Sequence, residues 1–221
     1  MADTPPPAKR PADLTPRELG FVRRSPVGWL SPPLLLATAV RVLGLTFFGA
    51  YLDKRELQNA LPARAYDHVD DTDEADEFWL DFVADLGDGF DATYSIAWLL
   101  AQPSLPVDPG TAVDDDSPLN LPRGHVLVMG GDQVYPTPGW ADYESRSRGP
   151  YRAALPMPTN RAPSLYALPG NHDWYDGLNA FDSLFCSSRD KLSNTKGNII
   201  GGWRCQQHRS YWALRLPHNW W

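Results

Sequence analysis

Three short polar clusters in this chain carry residue types that could bind metal ions and move a proton. They are Asp85–Asp88 (Asp-Leu-Gly-Asp), Gly131–Tyr135 (Gly-Asp-Gln-Val-Tyr) and Gly170–Asp173 (Gly-Asn-His-Asp). Carboxylate and amide oxygens are hard ligands that attract divalent or trivalent cations, and one Asp can bridge two such ions. Two metal ions about 3.5–4 Å apart can clamp a phosphoryl group and activate a water molecule for in-line attack. The clusters therefore predict hydrolysis at phosphorus on a two-metal centre.

The elements that must position these clusters are short apolar runs, each of which ends in one of them. The runs are Phe78–Ala84, His125–Met129 and Leu165–Leu168, and two helical segments are predicted at Thr93–Ala101 and Leu178–Phe185. Short buried strands that alternate with helices are typical of a layered α/β architecture. In such sheets ligands bind beyond the carboxyl ends of the strands, where the three clusters fall. Glycines in the clusters allow the sharp turns that aim the polar side chains at a common point.

The ordered series of clusters resembles the motif set of the calcineurin-like metallophosphoesterase superfamily, over about Phe78 to Asp176. It is most similar to the purple acid phosphatases, whose motifs are D-x-G, G-D-x-x-Y and G-N-H-[DE]. Gly87 stands where the wider superfamily has a His, and in the purple acid phosphatases a tyrosinate takes that ligand position, which Tyr135 matches here. The resemblance implies an α/β fold in which a layered β-sandwich is flanked by helices.

The resemblance also implies a role for each matching residue. Asp85 and Tyr135 would bind a first metal ion, Fe(III). Asp132 would bridge both ions, and Asn171 would bind the second, which would be Fe(II), Mn(II) or Zn(II). His172 would hydrogen-bond the substrate phosphate and protonate the leaving oxygen, a role that needs a His poised near neutral pH. The implied activity is hydrolysis of phosphomonoesters or diesters by a hydroxide that two metal ions activate.

The resemblance is incomplete at its C-terminal end. The family's remaining ligands are His residues in x-x-x-H and G-H-x-H motifs, and this chain has no G-H-x-H. Only His208 and His218 follow His172, and neither has the expected glycine context. Because the sequence also stops at an apolar aromatic end, Asn219–Trp221, we expect a longer phosphoesterase domain whose C-terminal part is incomplete here. Without those imidazoles, the 221 residues alone are expected to bind metal weakly and to turn over slowly.

Other interpretations of the same residues stay open. Tyr135 could be a packing aromatic before Pro136, and Asp88 could be either a metal ligand or a cap of the following helix. The stretch Gly87–Ala92 fits the dinucleotide-binding pattern G-x-G-x-x-[GA], although neighbouring Asp residues would then face a pyrophosphate with no base nearby. The non-enzymatic alternative is a catalytically degenerate phosphoesterase fold that acts as a binding or membrane-docking module.

Composition limits the remaining function classes. The 221 residues are 43% hydrophobic and include nine Trp, which is enough for a substantial core. The net charge of −7, from 20 Lys+Arg against 27 Asp+Glu, has the wrong sign for binding nucleic-acid backbones, so no nucleic-acid partner is expected. The partner that the resemblance implies is a phosphate-ester substrate. Cys186 and Cys205 form no C-x-x-C pair and residues 1–11 lack a signal-peptide layout, which predicts reduced thiols in a cytoplasmic protein.

Three regions follow one another along the chain. Residues 1–27 hold six prolines among scattered charges, which predicts a flexible Pro-rich tail. Residues 28–66 are predicted to be an apolar or amphipathic helical segment, and residues 67–221 the N-terminal part of the metallophosphoesterase domain. Within the last region, residues 103–124 are predicted to be a long acidic surface loop and residues 210–216 a strand.

The apolar segment Trp29–Leu52 raises the question of membrane contact. Each Leu, Val or Phe favours insertion by about 0.3–0.6 kcal/mol, whereas Arg41 in the middle opposes it by about 2.5–3.5 kcal/mol, so the balance lies near zero. A stripe of residues recurs at helical spacing: Leu36, Val40, Leu43, Phe47 and Tyr51. We therefore expect this helix to pack on the domain, with membrane contact as the less favoured alternative.

Overall fold

The computed structural model describes residues 13–52, 55–61, 65–73, 76–108, 119–156, 162–186 and 198–221. The α-helices in these ranges are α1 Pro16–Leu19, α2 Pro32–Leu52, α3 Arg55–Gln58, α4 Phe90–Ala101, α5 Trp140–Tyr143, α6 Gly149–Ala154 and α7 Asn179–Phe185. A π-helical turn, Glu144–Arg148, joins α5 to α6, and 3-10 helices cover Asp173–Asp176 and Pro217–Asn219. The strands are β1 Tyr66–Asp67, β2 Leu80–Val83, β3 Ser104–Val107, β4 Leu119–Pro122, β5 Val126–Met129, β6 Ser164–Ala167, β7 Asn198–Ile200, β8 Trp203–Cys205 and β9 Leu214–Arg215.

Five of the strands form the central sheet, in the order β2–β5–β6–β8–β7. The first four run parallel, and β7 is antiparallel to β8. Both faces of a parallel sheet are normally covered, and β5 and β6 are buried along their whole length. The register aligns Val83, Met129 and Ala167. The carboxyl ends of β2, β5 and β6 therefore lie side by side, as the positions of the polar clusters require.

Different elements cover the two faces of this sheet. On one face, Leu127 and Met129 of β5 belong to the main core, together with apolar side chains of α4, α6 and α7. The alternate residues of the same strand, Val126 and Val128, pack instead with Leu214 of β9. Because β9 pairs in parallel with β1, a helix layer covers one face and a short strand pair covers part of the other.

The mixed α/β architecture with a mostly parallel sheet flanked by helices is confirmed. The predicted strands overlap β2, β5 and β6, and the predicted helices overlap α4 and α7. A β-sandwich is not confirmed, because outside the central sheet the described ranges contain only the two-stranded pairs β1–β9 and β3–β4. Cys186 and Cys205 are free thiols.

Two local predictions were wrong in part. Residues 103–124, predicted as a loop, contain β3 and β4, which pair antiparallel with Leu105 opposite Leu121. The many Pro and Asp residues of this stretch concealed the short apolar alternation at its two ends. In residues 210–216, predicted as a strand, only Leu214–Arg215 pairs with another strand.

The predicted flexible tail is wrong for its second half. Residues 1–12 lie outside the described ranges, but a capping box between Thr15 and Glu18 closes the first turn of α1. Leu19 and Phe21 are buried against Phe90 of α4. A low average hydrophobicity predicted disorder here, but two well-placed apolar side chains are enough to dock the segment on a neighbouring helix.

The predicted apolar helix is present as α2, but the stripe predicted to pack on the domain is exposed to solvent. Its described members are between 58% and 73% exposed: Leu36, Val40, Leu43 and Phe47. The side chain of Tyr51 lies outside the described residues. The half-buried residues of α2 lie on another side of the helix: Leu34, Thr38 and Gly44. Helical spacing shows which residues share a face, but it does not show which face docks.

The contact of α2 with the domain includes the 3-10 helix Asp173–Asp176. This helix directly follows the third polar cluster, so α2 lies next to the loop that carries Asn171 and His172. Across the described ranges, no helix is both long enough and apolar enough to cross a membrane.

Candidate metal centre

The three polar clusters meet at one edge of the central sheet. Asp85 follows β2, Asp132 follows β5, and Asn171 and His172 follow β6. Backbone hydrogen bonds extend the strand pairing into these loops, because the Asp85 amide donates to the Gly131 carbonyl at 3.0 Å. The loops are therefore fixed relative to one another before any side chain is considered.

The hydroxyl of Tyr135 links the first two clusters. It lies 3.0 Å from Oδ1 of Asp85 and 3.0 Å from Oδ2 of Asp132. A phenol has one proton to donate, so it can satisfy only one of the two carboxylates at a time. Tyr135 is half-buried and Asp85 is exposed, which leaves this group of oxygens open to a ligand from solvent.

The second carboxylate also links to the third cluster. Oδ1 of Asp132 accepts the backbone N–H of His172 at 2.9 Å, while Oδ2 faces Tyr135. Asp132 is only 8% exposed. Both carboxylate residues adopt left-handed backbone conformations, with φ of 59° at Asp85 and 52° at Asp132. Such conformations are uncommon for residues other than glycine and concentrate at functional sites.

The surroundings of Tyr135 disfavour its ionised form. Burial, followed by hydrogen bonding and charge from Asp132 and Asp85, raises the pKa of the Tyr135 phenol far above its usual value. A cation placed among the same oxygens has the opposite effect, because it favours the charged form of every oxygen that it contacts. The position thus suits a tyrosinate only together with a strongly charged metal ion.

Two glycines permit the close approach of the loops. A Cβ atom on Gly87 would lie 2.1 Å from the Gln133 carbonyl oxygen, and one on Gly170 would lie 2.1 Å from Oδ1 of Asp132. Gly87 also has a φ of 118°, which side chains rarely tolerate. A His side chain at position 87 would not fit this packing, because the Gln133 carbonyl and the Val134 backbone occupy the space.

His172 lies against the same tyrosine with its ring orientation fixed. The ring centroids of His172 and Tyr135 are 4.6 Å apart. Nδ1 of His172 lies 2.8 Å from the carbonyl oxygen of Pro136, and since a carbonyl only accepts, Nδ1 must carry a proton. The other ring nitrogen, Nε2, is then the one that can exchange a proton with a ligand.

Asn171 is exposed on the loop that packs against Asp132. Its neighbours on both sides, Gly170 and His172, approach the Asp132 carboxylate within contact or hydrogen-bond distance. The structure therefore brings all five predicted site residues to one edge of the sheet: Asp85, Asp132, Tyr135, Asn171 and His172.

The donor set fits a hard metal ion. Two carboxylates, a phenol and an amide are oxygen donors, which suit Fe(III), Mn(II) and similar cations. Among the described residues, no group of three or more His, Cys, Asp or Glu side chains could hold a metal ion. The candidate centre thus depends on Tyr135 and Asn171 as much as on its two aspartates.

Asp173 connects two of the loops that form the candidate centre, a role that was not predicted from the sequence. It is fully buried and accepts the N–H groups of Gly170 at 2.8 Å and of Gln133 at 3.3 Å, together with the Tyr143 hydroxyl. Burial raises the pKa of Asp173 to about 6, although these hydrogen bonds act in the opposite direction. The carboxylate ties the second and third loops together. Its place in the Gly-Asn-His-Asp cluster was the available signal.

Of the two interpretations left open for Asp88, the helix cap is wrong. The helix α4 has Gly89 at its N-cap and no side-chain cap, and Oδ1 of Asp88 instead accepts the backbone N–H of Val27 at 3.1 Å. The carboxylate was placed correctly near the start of the helix. Its partner lies 61 residues away in the N-terminal segment, however, and no local pattern predicts such a pairing.

The two histidines that follow His172 in the chain contact other residues. The ring of His208 contacts Tyr66 of β1, with centroids 6.4 Å apart. Nε2 of His218 lies 3.3 Å from the carbonyl oxygen of Asp76. Neither of these contacts is with an oxygen of the candidate centre.

Comparisons with protein-family profiles, with curated proteins and with solved structures find no match to this chain.

We predict that Gly170→Ala destabilises the protein by about 1–3 kcal/mol, because the new methyl group overpacks the contact with Asp132. Urea unfolding followed by circular dichroism measures the change. The control is Gly28→Ala, where nothing lies within 4 Å of the added atom. Equal midpoints for Gly170→Ala and wild type would show that the loops are not packed as described.

Proposed function

We propose that this protein is a metal-dependent phosphoesterase that hydrolyses phosphomonoesters or diesters. The observation that carries the proposal is the Tyr135 hydroxyl, 3.0 Å from both the Asp85 and the Asp132 carboxylates, with His172 packed on its ring. Sequence motifs alone selected these residues from three separate segments. Their convergence at the carboxyl ends of adjacent parallel strands is what such a centre requires.

A metallophosphoesterase-like fold is part of the same proposal. In that fold a β-sandwich is flanked by helices, and here the β1–β9 pair packs on the sheet face opposite the helices. This pair would correspond to part of the second sheet. The similarity of the three polar clusters to the motifs of purple acid phosphatases is likewise part of this proposal.

The residues have separable roles in this chemistry. Metal ions held by Asp85, Asp132, Tyr135 and Asn171 would neutralise phosphoryl oxygens and supply an activated water-derived nucleophile. His172 would carry a proton on Nε2 and donate it to the leaving oxygen as the phosphorus–oxygen bond breaks. The Pro136 carbonyl would hold the imidazole in that orientation through Nδ1. Asp173 would keep the Gly170–His172 loop in place through the Gly170 amide.

A second candidate function is favoured by one observation. The apolar stripe of α2 (Leu36, Val40, Leu43 and Phe47) is exposed to solvent, as a catalytically degenerate binding or membrane-docking module would require. That function predicts purified protein without bound metal and without phosphatase activity.

We predict that Asp132→Ala lowers the hydrolysis of p-nitrophenyl phosphate by about 100-fold or more in the presence of Mn(II) or iron, because the carboxylate that would bridge the metal ions and that links the second and third loops is lost. Rates with and without added metal give the measurement. The matched control is Asp70→Ala, which removes an exposed carboxylate. Undiminished activity of Asp132→Ala would contradict the mechanism.

We predict that protein loaded with iron is visibly coloured and that Tyr135→Phe abolishes the colour. A tyrosinate bound to Fe(III) absorbs visible light through charge transfer, and the phenol ionises near neutral pH only beside a strong Lewis acid. The Phe variant keeps the ring contacts with His172 and Trp29 and removes one oxygen. Absorption spectra and thermal melts of both proteins make the comparison. If wild-type protein with stoichiometric iron is colourless, Tyr135 does not bind the iron and serves only in packing.

A further inference from the structure

The N-terminal segment from Phe21 to Ser31 crosses the protein next to the candidate centre. The Phe90 amide donates to the Arg24 carbonyl at 2.8 Å, and Asp88 accepts the Val27 amide. Arg23 pairs with Asp91 at 3.1 Å and lies over the Phe90 ring. These contacts attach the segment to the turn that follows Asp85, so the position of residues 27–31 is fixed relative to the centre.

Trp29 is the residue that this segment places at the centre. Its ring meets those of Tyr135 and His172 edge-on, with centroids 5.4 Å and 5.7 Å away. The side chain is 40% exposed, so part of the indole surface faces solvent beside the histidine. The ring of Tyr175 also contacts that of His172, at 5.0 Å between centroids.

We infer that Trp29 is a specificity-determining residue that binds aromatic leaving groups of phosphate esters. The inference rests on the proposed function, in which His172 donates a proton to the leaving oxygen. The group attached to that oxygen must then lie beside His172, where the exposed indole surface is available. A planar ring at this place stacks on the indole, whereas a short alkyl chain makes little contact with it.

The size of the effect follows from the contact that is lost. A contact between two aromatic rings contributes binding free energy beyond that of burying apolar surface. This contribution can change a binding constant by up to about 10-fold. We therefore expect Trp29→Ala to lower kcat/KM for phenyl phosphate about 10-fold more than it lowers kcat/KM for ethyl phosphate, with the difference mainly in KM. Trp29→Phe should retain most of the preference, since it keeps an aromatic surface.

The experiment compares both esters on the full chain loaded with Mn(II). Because each variant is compared with wild type on the same ester, the intrinsic reactivity of the ester cancels from the ratio. Trp98→Ala is the control, since Trp98 is a 48% exposed tryptophan on α4 and should affect neither ester. Calorimetric binding of phenylphosphonate and methylphosphonate gives a readout that does not depend on turnover, and Trp29→Ala should weaken binding of the first more than binding of the second.

A selective loss for the phenyl compounds in both measurements supports the inference. Equal losses for the aromatic and alkyl compounds, or no loss for either, would overturn the role of Trp29 while leaving the phosphoesterase intact. Wild-type protein that, at saturating Mn(II), neither hydrolyses the esters at a measurable rate nor binds either phosphonate would overturn the proposed function, and the inference with it. The two failures differ in whether wild type shows activity or binding.

Discussion

A single hydroxyl group connects the parts of the candidate centre. The phenol of Tyr135 lies 3.0 Å from one oxygen of Asp85 and 3.0 Å from one oxygen of Asp132, and it has only one proton to share. The carboxylates carry like charges, so bringing them around one point costs free energy that a neutral phenol offsets only in part. A cation among these oxygens would turn the repulsion into attraction. This is why we propose that a metal ion lies among these oxygens.

The convergence of these side chains is accompanied by unusual backbone conformations at both aspartates. Asp85 and Asp132 adopt left-handed conformations, which cost of order 1–3 kcal/mol each when the residue is not glycine. Asp173 connects the second and third loops, because its buried carboxylate accepts the backbone amides of Gln133 and Gly170. The N-terminal segment places the Trp29 ring in edge-on contact with the rings of Tyr135 and His172. Residues from four separate stretches of the chain thus meet at the end of one parallel sheet.

Much of the fold and the predicted site could be derived from the sequence, because the relevant signals are local. Compact apolar runs predicted β2, β5 and β6, and the polar residues at their ends lie together because parallel strands end at one edge. The contacts that could not be predicted are long-range. No local pattern pairs Asp88 with Val27 or places Trp29 beside Tyr135, 106 residues later in the chain. Likewise, the spacing of the α2 stripe revealed a shared face but not that this face is exposed.

The most direct test of the metal centre is to locate the metal itself. Crystals grown with Mn(II) or iron would be measured at the absorption edge of that metal, and an anomalous difference map calculated. We expect a peak at about 2.0–2.5 Å from oxygens of Asp85, Asp132 and Tyr135, with a second peak on the Asn171 side of Asp132. A map with stoichiometric metal bound elsewhere, and with the Tyr135 hydroxyl still hydrogen-bonded to two metal-free carboxylates, would contradict the proposed centre.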